Sequence, residues 1–496
     1  MPSGSSINTA SAPRQVKLRQ CSVFSPTFER NAVNQSQRAA IQTRGIDISK
    51  NVMAIDIYES IFQNTISGSL TIRETEGYIE TLPLTGTEHI YLEFAIDYLN
   101  ETRVFNRVFR IRRIGDVTFP KNEERMYTID LVTPEFLRSV STRVLKKYNN
   151  ISCMDAVKDI MKTYLKVPEK KMQETHFENT DGVVSVVIPN YTPLQAINFF
   201  STLALTKKIP SESNFLFFET IDGFYFTSAR KLIEDAAALP EANLSAPATA
   251  QTGNTIPIYE VNANKMTGMP SIAEQQAFNS IIRLHQDQTF DVLVDTASGL
   301  LRSKMLHLDF FARKWNEEDS RYTETFKKTT HLDKYPVYPN NFDQSVGRNV
   351  KMFIVPTNIS SANSKYVETV GDIPSPQRMY ESIVLRNRQL KELQHLKTLL
   401  DVPGRADLRA GKVIVLRYPS SRALSDANDN PSMSSTQLPT PYHSGRHLVT
   451  SVRHTMTQVS TGIMEYRMHI EAVRDSFGAP LIGYKEDAND KDGKAV

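Results

Sequence analysis

Strict alternation of apolar and polar residues is the feature of this sequence that most limits what the chain can fold into. Residues 90–97 read IYLEFAID, with an apolar side chain at every even position, and the same period recurs in MAIDIY (53–58) and YTIDL (127–131). A period of two places successive side chains on opposite faces of a strand, as in antiparallel sheets that cover a core with one face. Several such strands within residues 16–135 predict a small β-sandwich or barrel.

The period changes to that of helices in the next part of the chain. Ser152 followed by Asp155, and Thr192 followed by Gln195, are typical helix starts because their side chains satisfy free backbone N–H groups. Apolar residues at helical spacing follow each start. These patterns predict a compact α+β module over residues 136–234.

The sequence returns to strands near its C-terminal end. Alternation on both sides of the turn QVSTG (458–462) predicts a β-hairpin, in which Gly462 can adopt the positive φ that the turn requires. This region shares architecture, but no obvious sequence identity, with the first β-region. We therefore expect a mainly β, α+β chain with two separate antiparallel β-domains, one on each side of a mixed α+β centre.

The chain is expected to divide into seven regions. They are a disordered N-terminus (1–15), a first β-domain (16–135), an α+β module (136–234), a linker or long loop (235–255), a mixed middle domain (256–375), a helix with a second β-domain (376–480) and a charged tail (481–496). Within the middle domain we expect a helix around 270–285 and strands near 289–294 and 302–311.

Composition excludes several classes of protein. The 58 basic and 55 acidic residues give a net charge of +3, whereas a dedicated nucleic-acid binder concentrates basic charge. Two cysteines, Cys21 and Cys153, are too few for a disulfide framework or a four-ligand zinc site and are expected to be reduced and buried. The longest uncharged run, 182–206, contains Pro, Asn and Gln residues that lipid disfavours, so we expect no membrane insertion.

Two groups of residues suggest metal binding only weakly. Asp426, Asn428 and Asn430 are spaced as in a calcium loop, but Pro431 and Gln437 stand where that loop needs Gly and Glu, so a plain polar loop is favoured. A second group consists of the histidines at 443, 447, 454 and 469. With no Cys or HExxH motif beside them, structural or surface histidines are favoured. We therefore predict no metal site and no cofactor.

The stretch TRVFNRVFRIRR (102–113) carries Arg103, Arg107, Arg110, Arg112 and Arg113. A phosphate-binding stripe is one interpretation. The favoured one places Arg110 and Arg112 on the solvent or subunit face of one strand, paired with carboxylates such as Glu123 and Glu124. The sequence contains no P-loop, GxSxG elbow or CxxC motif, so we predict no catalytic residue.

The segment IDIYESIFQNTISGSLTIRETEGYIETLPLTGTEHIYLEF (55–94) resembles the N-terminal tube domain of central baseplate hub proteins from contractile-tailed bacteriophages. Segments similar to that family also occur, in the family's order, at SGLLRSKMLHLDFFARKW (298–315), VPGRADLRAGKVIVLRYP (402–419) and HLVTSVRHTMTQVSTGIMEYRMHIEAVRDS (447–476). The resemblance covers most of the chain and is strongest in 55–94.

The resemblance implies a structural protein of the virion tail baseplate that folds and assembles in the host cytoplasm. Two tube-like β-domains per chain would let a homotrimeric ring present six units to the tail tube protein above and three-fold symmetry to the central spike protein below. Baseplate wedge proteins and the tape measure protein are further expected partners, and viral DNA would only pass through the pore. The chain would nucleate tube assembly and would not be an enzyme.

Outward strand faces are the expected contacts with other subunits and with the tube. The predicted interface residues are Leu70, Thr71, Arg73, Tyr91, Glu93, Arg110, Arg112, Tyr466 and Arg467.

Two other functions stay open at this point. Abundant carboxylates allow a tail-associated cell-wall hydrolase, whose acid pair could be recognised only by its separation in space. A spike hub of a type VI secretion system shares the hub fold, but is disfavoured because such proteins continue into a β-helical needle, whereas this chain stops at a charged tail.

Overall fold

The structure is a computed structural model. It describes residues 15–24, 45–75, 84, 86–98, 101–121, 124–207, 214–240, 255–260, 281–288, 291–309, 313–338, 351–357, 385–393, 396–418 and 442–480.

The described strands and helices occur in three parts of the chain. The first part contains β1 (Gln15–Phe24), β2 (Ile46–Asp47), β3 (Val52–Ser60), β4 (Ser67–Glu74), β5 (His89–Tyr98), β6 (Glu101–Lys121) and β7 (Glu124–Val132). The second contains α1 (Pro134–Ser141), β8 (Val144–Ile151), α2 (Cys153–Ile160), β9 (Thr180–Asp181), β10 (Val184–Tyr191), α3 (Pro193–Leu203), β11 (Leu205–Thr206), β12 (Phe215–Thr220), β13 (Gly223–Ser228) and α4 (Ala229–Ala237). The third contains β14 (Ile258–Glu260), β15 (Arg283–Gln288), α5 (Val292–Ser298), β16 (Arg302–Asp309), β17 (Lys314–Arg321), α6 (Tyr322–Phe326), β18 (Tyr335–Pro336), β19 (Lys351–Thr357), α7 (385–392), β20 (Leu396–Pro403), β21 (Val413–Arg417), β22 (Gly445–Ser460), β23 (Ile463–Arg474) and β24 (Ser476–Phe477).

Eight strands form a closed ring of backbone pairing. In order around the ring they are β22, β3, β4, β7, β6, β5, β1 and β23, and β23 pairs back with β22. All these pairings are antiparallel. The alternating apolar residues of the ring strands point inward and form one core, which includes Ile55, Leu70, Phe94, Ile129 and Met456. The period of two thus places one face of every ring strand in the same interior.

A second, open sheet shares two strands with the ring. Its order is β14, β21, β22, β23, β20 and β15, in which only β14 and β21 run parallel. The sharing is possible because β22 and β23 are long. One edge of β22 pairs with β21 at residues 445–448 and with β3 at residues 451–457, and the outer edge of β23 is divided in the same way between β1 and β20.

The mainly β, α+β fold is confirmed, but the expected separation of the two β-regions is wrong. The C-terminal hairpin β22–β23, with Gly462 at φ +78° in its turn, closes the ring that the N-terminal strands begin. Hydrogen bonds across β3–β22 and β1–β23 therefore join strands from both ends of the chain. The domain boundaries given above stay predictions.

The α+β module packs two helices and two hairpin-like sheets around its own core. Both predicted helix starts are confirmed. Ser152 accepts a hydrogen bond from the Asp155 N–H, and Thr192 forms a capping box with Gln195. Cys153 is buried in this core and Cys21 in the ring, and both are free thiols, as predicted.

The middle of the chain differs from expectation in two places. Residues 292–294, the end of the strand predicted at 289–294, lie in helix α5, and residues 283–285, the end of the helix predicted at 270–285, lie in β15, which pairs with β20. The strand expected near 302–311 is confirmed as β16. Several predictions lie outside the described residues: those for 1–14, 241–254, 261–280, 481–496 and the loop at 426–437.

Candidate assembly interface

The outer face of the closed ring is where the predicted interface residues were expected, and two of them are not there. Leu70 is fully buried in the ring core, so it cannot contact another subunit. Tyr466 is also buried, and its hydroxyl donates to the Arg405 carbonyl oxygen (3.2 Å) and bonds His454 Nδ1 (2.7 Å). Both side chains follow the inward period of their strands, and both interface assignments are therefore wrong.

The other predicted residues lie on the outer side of ring strands. Thr71 and Arg73 are on β4, and Arg73 pairs with Glu124 of β7 at 2.7 Å. On β5 the Tyr91 hydroxyl donates to Glu93 (2.7 Å), and this bond raises the pKa of Tyr91 to about 12. These contacts order the polar side chains on the outer faces of the two strands.

The remaining three extend the set around the ring. On β6, Arg110 donates to the Thr87 carbonyl oxygen (3.0 Å), and Arg112 is exposed. On β23, Arg467 pairs with Glu465 at 2.9 Å. Strands β4, β7, β6 and β5 are consecutive in the ring, whereas β23 lies beyond β1, so the structure groups six of the residues and leaves Arg467 apart.

The arginine-rich stretch does not form one stripe. Arg103 and Arg107 share the strand side of Phe105, whereas Arg110 and Arg112 take the opposite side, as the strand period predicts. Of the carboxylates predicted to pair with Arg110 and Arg112, Glu124 pairs with Arg73 at 2.7 Å. Glu123 lies outside the described residues.

Arg103 and Arg107 line a cavity of about 390 Å³ between the ring and the α+β module. Arg107 donates to the Ile221 carbonyl oxygen (2.5 Å), and on the other wall Arg409 lies 3.5 Å from Asp222. Arg107 and Arg409 are thus already engaged with a backbone and a carboxylate oxygen of the same chain.

A buried ion triad lies in the α+β module and contacts the ring through Glu219. Lys171 Nζ lies 3.1 Å from a carboxylate oxygen of Glu135 and 3.1 Å from one of Glu219, and all three side chains are buried. Glu219 also accepts the Ile66 N–H at 3.3 Å, just before β4. Burial raises the pKa of Glu219, and Lys171 opposes that rise.

A second buried network lies inside the ring around Glu59 of β3. Its carboxylate accepts the N–H groups of Ile221 (2.7 Å) and Ala410 (3.2 Å) and lies 3.6 Å from His454 Nε2. Burial alone would raise the pKa of Glu59, but His454, Arg409 and the Ile221 N–H hold it below its ordinary value. Sequence reasoning missed this residue, because Glu59 stands where the alternation of β3 predicts an apolar side chain.

The histidines do not gather at one site. His454 is in the ring core, His447 is buried near Arg474, and His469 bonds Asp401 (2.5 Å) on β20. Among the residues that the structure describes, no group of three or more His, Cys, Asp or Glu side chains could hold a metal ion. No helix within the described ranges is long and apolar enough to span a membrane.

Comparison with solved structures finds tail and secretion proteins at low identity. A 43 kDa tail protein of prophage MuSo2 from Shewanella oneidensis is 10% identical, with 86% of this chain and 95% of that chain covered and a TM-score of 0.46. A tail protein from Neisseria meningitidis is 9% identical, with 93% and 99% covered and a TM-score of 0.44. An Escherichia coli component of the type VI secretion system is 9% identical, with 86% and 74% covered and a TM-score of 0.38.

Comparison by sequence gives a relative along most of the chain. No protein-family model matches. The probable baseplate hub protein gp334 of Vibrio phage KVP40 is 21% identical over 409 residues, which cover 79% of this chain and 88% of the relative. The resemblance that the motifs of residues 55–94 indicate is thereby confirmed: this chain is similar, over most of its length, to a phage baseplate hub protein.

Proposed function

We propose that this chain is a structural hub of a phage tail baseplate and resides in the virion tail. The observation that carries the proposal is the alignment with a probable baseplate hub protein over 88% of that protein's length. The fold is compatible with a scaffold, because thirteen of its described strands are joined in one hydrogen-bonded sheet system. Such a frame is stiff, which suits a part that transmits load.

The working form proposed here is a homotrimeric ring that adapts the three-fold central spike to the six-fold tail tube. Two β-units per chain, the closed ring and the open sheet, support this symmetry arithmetic, since three copies would present six units. The shared hairpin β22–β23 would fix the angle between the two units of one chain. Wedge proteins and the tape measure protein would contact the same homotrimer, and DNA would pass through the centre of the homotrimer.

Because the eight-stranded ring within each chain is closed, it limits how the subunits could contact one another. A strand edge that is already paired cannot recruit a strand of another subunit. Contacts with the tube would therefore use side chains on the outer face of the ring, such as Arg73, Tyr91 and Arg112. In the open sheet, the described strands β14 and β15 each pair on one side only, so their edges are the places left for strand addition.

Mass measurement of the purified protein tests this proposal. Light scattering or native mass spectrometry, with and without the spike protein, is expected to show three copies, and electron microscopy should show a three-fold ring with six β-densities. A strictly monomeric hub in the spike complex would contradict the symmetry adaptor.

The proposal assigns no catalytic role to the chain. Purified protein is expected to leave peptidoglycan uncleaved in a clearing assay. Clearing that a single Asp or Glu substitution abolishes would instead identify a hydrolase.

A further inference from the structure

Helix α1 buries polar residues and exposes apolar ones. Its polar residues Glu135 and Ser139, four positions apart, are buried, whereas Phe136, Leu137 and Val140 are exposed. Val140 leaves 59% of its surface exposed. A surface helix normally buries its apolar stripe, so this arrangement indicates a face that something else covers.

Polar anchors hold the helix in this orientation. Glu135 lies in the buried triad with Lys171, and Ser139 Oγ accepts the Leu194 N–H at 3.2 Å. Arg138 donates to the Leu165 carbonyl oxygen at 2.8 Å. Rotating α1 to bury its apolar side would break all three contacts, so the exposed side chains cannot turn inward at low energy.

The apolar surface continues onto the sheet that follows α1. Leu145 on β8 is 75% exposed, and Val187 on β10, opposite Lys147, is also exposed. We call this surface the basic apolar face, and its members are Phe136, Leu137, Val140, Leu145 and Val187. Its segment 136–147 contains two arginines and two lysines but no acidic residue, and one of these lysines, Lys146, pairs with Asp159 of α2 at 2.7 Å.

A second apolar surface has the opposite charge. Helix α5 buries Asp295, which accepts the Tyr338 hydroxyl at 2.6 Å, and exposes three apolar residues. We call these residues, Val292, Leu293 and Val294, the acidic apolar turn; Leu293 is 82% exposed. Segment 286–297 contains no basic residue, and besides the buried Asp295 it contains Asp287 and Asp291. Asp291 accepts the Val294 N–H at 3.0 Å and so fixes the start of the turn.

We propose that the basic apolar face of one copy docks on the acidic apolar turn of the next copy. The inference rests on the proposed homotrimer and names the surfaces that would form it. A cyclic trimer needs a head-to-tail interface made of two different, complementary surfaces on every chain. These two surfaces meet that requirement, since each supplies apolar residues and their rims carry opposite charge.

Two single variants test the docking. Val140→Asp places a negative charge on the basic apolar face, opposite the aspartates of the turn, and Leu293→Lys places a positive charge on the turn, opposite the basic rim. Each is expected to raise the dissociation constant of the trimer by on the order of 30-fold, as for an interface hot spot. Native mass spectrometry at the lowest concentration at which the wild type is still trimeric should then show monomers.

Mixing the two variants tests whether the surfaces meet each other. Val140→Asp keeps an intact turn and Leu293→Lys keeps an intact face, so these two surfaces can still meet between the variants, and an equimolar mixture is expected to form mixed dimers, distinguishable by mass. Val459→Asp is the matched control, because Val459 is 67% exposed but lies in the β22–β23 hairpin. It should remain trimeric. Circular dichroism verifies that every variant is folded.

Several outcomes would overturn the inference. Variants that stay trimeric, or a mixture that stays monomeric, would show that the two surfaces do not meet. Variants that keep the trimer but lose the spike protein would assign the surfaces to the spike. A wild type that is monomeric at every concentration would remove the proposed trimer as well, whereas the other results leave it standing.

Discussion

Removing the charge of Lys171 should destabilise the protein strongly at neutral pH and only weakly in mild acid. In Lys171→Met the methionine fills the space of the lysine stem, but the carboxylates of Glu135 and Glu219 lose their buried cation. Removing one partner of a buried ion pair typically lowers the free energy of unfolding by about 3–5 kcal/mol. The loss arises because the carboxylates of Glu135 and Glu219 stay buried without their cation. Since a carboxylate can be protonated, the loss depends on pH.

The variant can relieve the repulsion by protonating Glu219. Starting from the ordinary glutamate pKa of 4.5, neutralising one carboxylate takes about 3.4 kcal/mol at pH 7 and about 0.7 kcal/mol at pH 5. A carboxyl whose folded pKa is raised binds more protons when folded, so the stability of the variant rises as the pH falls. The difference from the wild type should therefore shrink by roughly 2–3 kcal/mol between pH 7 and pH 5.

Urea unfolding followed by circular dichroism, at fixed protein concentration and at both pH values, measures this difference. Lys162→Met is the matched control, since Lys162 is exposed on the same module, and it should change the free energy of unfolding by less than about 0.5 kcal/mol. Adding Glu219→Gln to Lys171→Met should recover much of the loss at pH 7. A loss below about 1 kcal/mol at pH 7, or one that is equal at both pH values, would refute the assigned role of the triad.

Three further predictions concern the core. Burial, followed by the nearby charge of Arg474, lowers the pKa of His447 from 6.5 to about 3. Between these pH values the unfolded state binds a proton that the folded state does not, so the free energy of unfolding should fall by about 1.4 kcal/mol per pH unit on acidification. In His447→Gln, urea midpoints measured across this pH range should lack this part of the pH dependence. A Cβ added at Gly404 would meet the Tyr466 ring at 1.9 Å, so Gly404→Ala should lower the free energy of unfolding by about 2 kcal/mol or more. Gly115→Ala is the control and should lower it little, because the nearest atoms to the added Cβ belong to the Arg113 side chain at 3.6 Å. Equal losses for the two variants in urea titrations would contradict this. Burial raises the pKa of the Cys153 thiol to about 12 and that of Cys21 even further, so neither should react with a thiol reagent until urea unfolds the chain, and rapid labelling of the native protein would show that they are accessible.

Local patterns predicted the strands and helix starts well because those features depend on neighbours in the sequence. The alternation in 53–58 and 127–131 gave strands β3 and β7, and the residues around Gly462 gave the long hairpin. Partner choice is different, because no local pattern says that β3 pairs with β22 from the other end of the chain. The closed ring could therefore not be read from the sequence.

The two wrong interface predictions, Leu70 and Tyr466, could have been avoided, because the strand alternation already places both side chains on the inward face. Leu70 shares its strand side with Ile72, so the alternation already assigned it to the core. Tyr466 lies between Met464 and Met468 on the same inward side, and its bonds to His454 and to the Arg405 carbonyl oxygen explain why a polar hydroxyl is tolerated there. The orientation of α1 could not be predicted, because the triad that sets it joins residues distant in sequence, Glu135 and Glu219.

The shared hairpin has a consequence for the birth of the protein. Gln15 pairs with Glu465, 450 positions further along, so the ribosome must synthesise the chain as far as β23 before the ring can close. Until then β1 and β3 lack the strands that later cover them, and contacts between such distant segments form slowly. A truncated or stalled chain would keep these strand edges unpaired and would be a target for chaperones or proteases. Closure of the ring thus depends on the hairpin β22–β23, and a chain that ends before this hairpin cannot complete the ring.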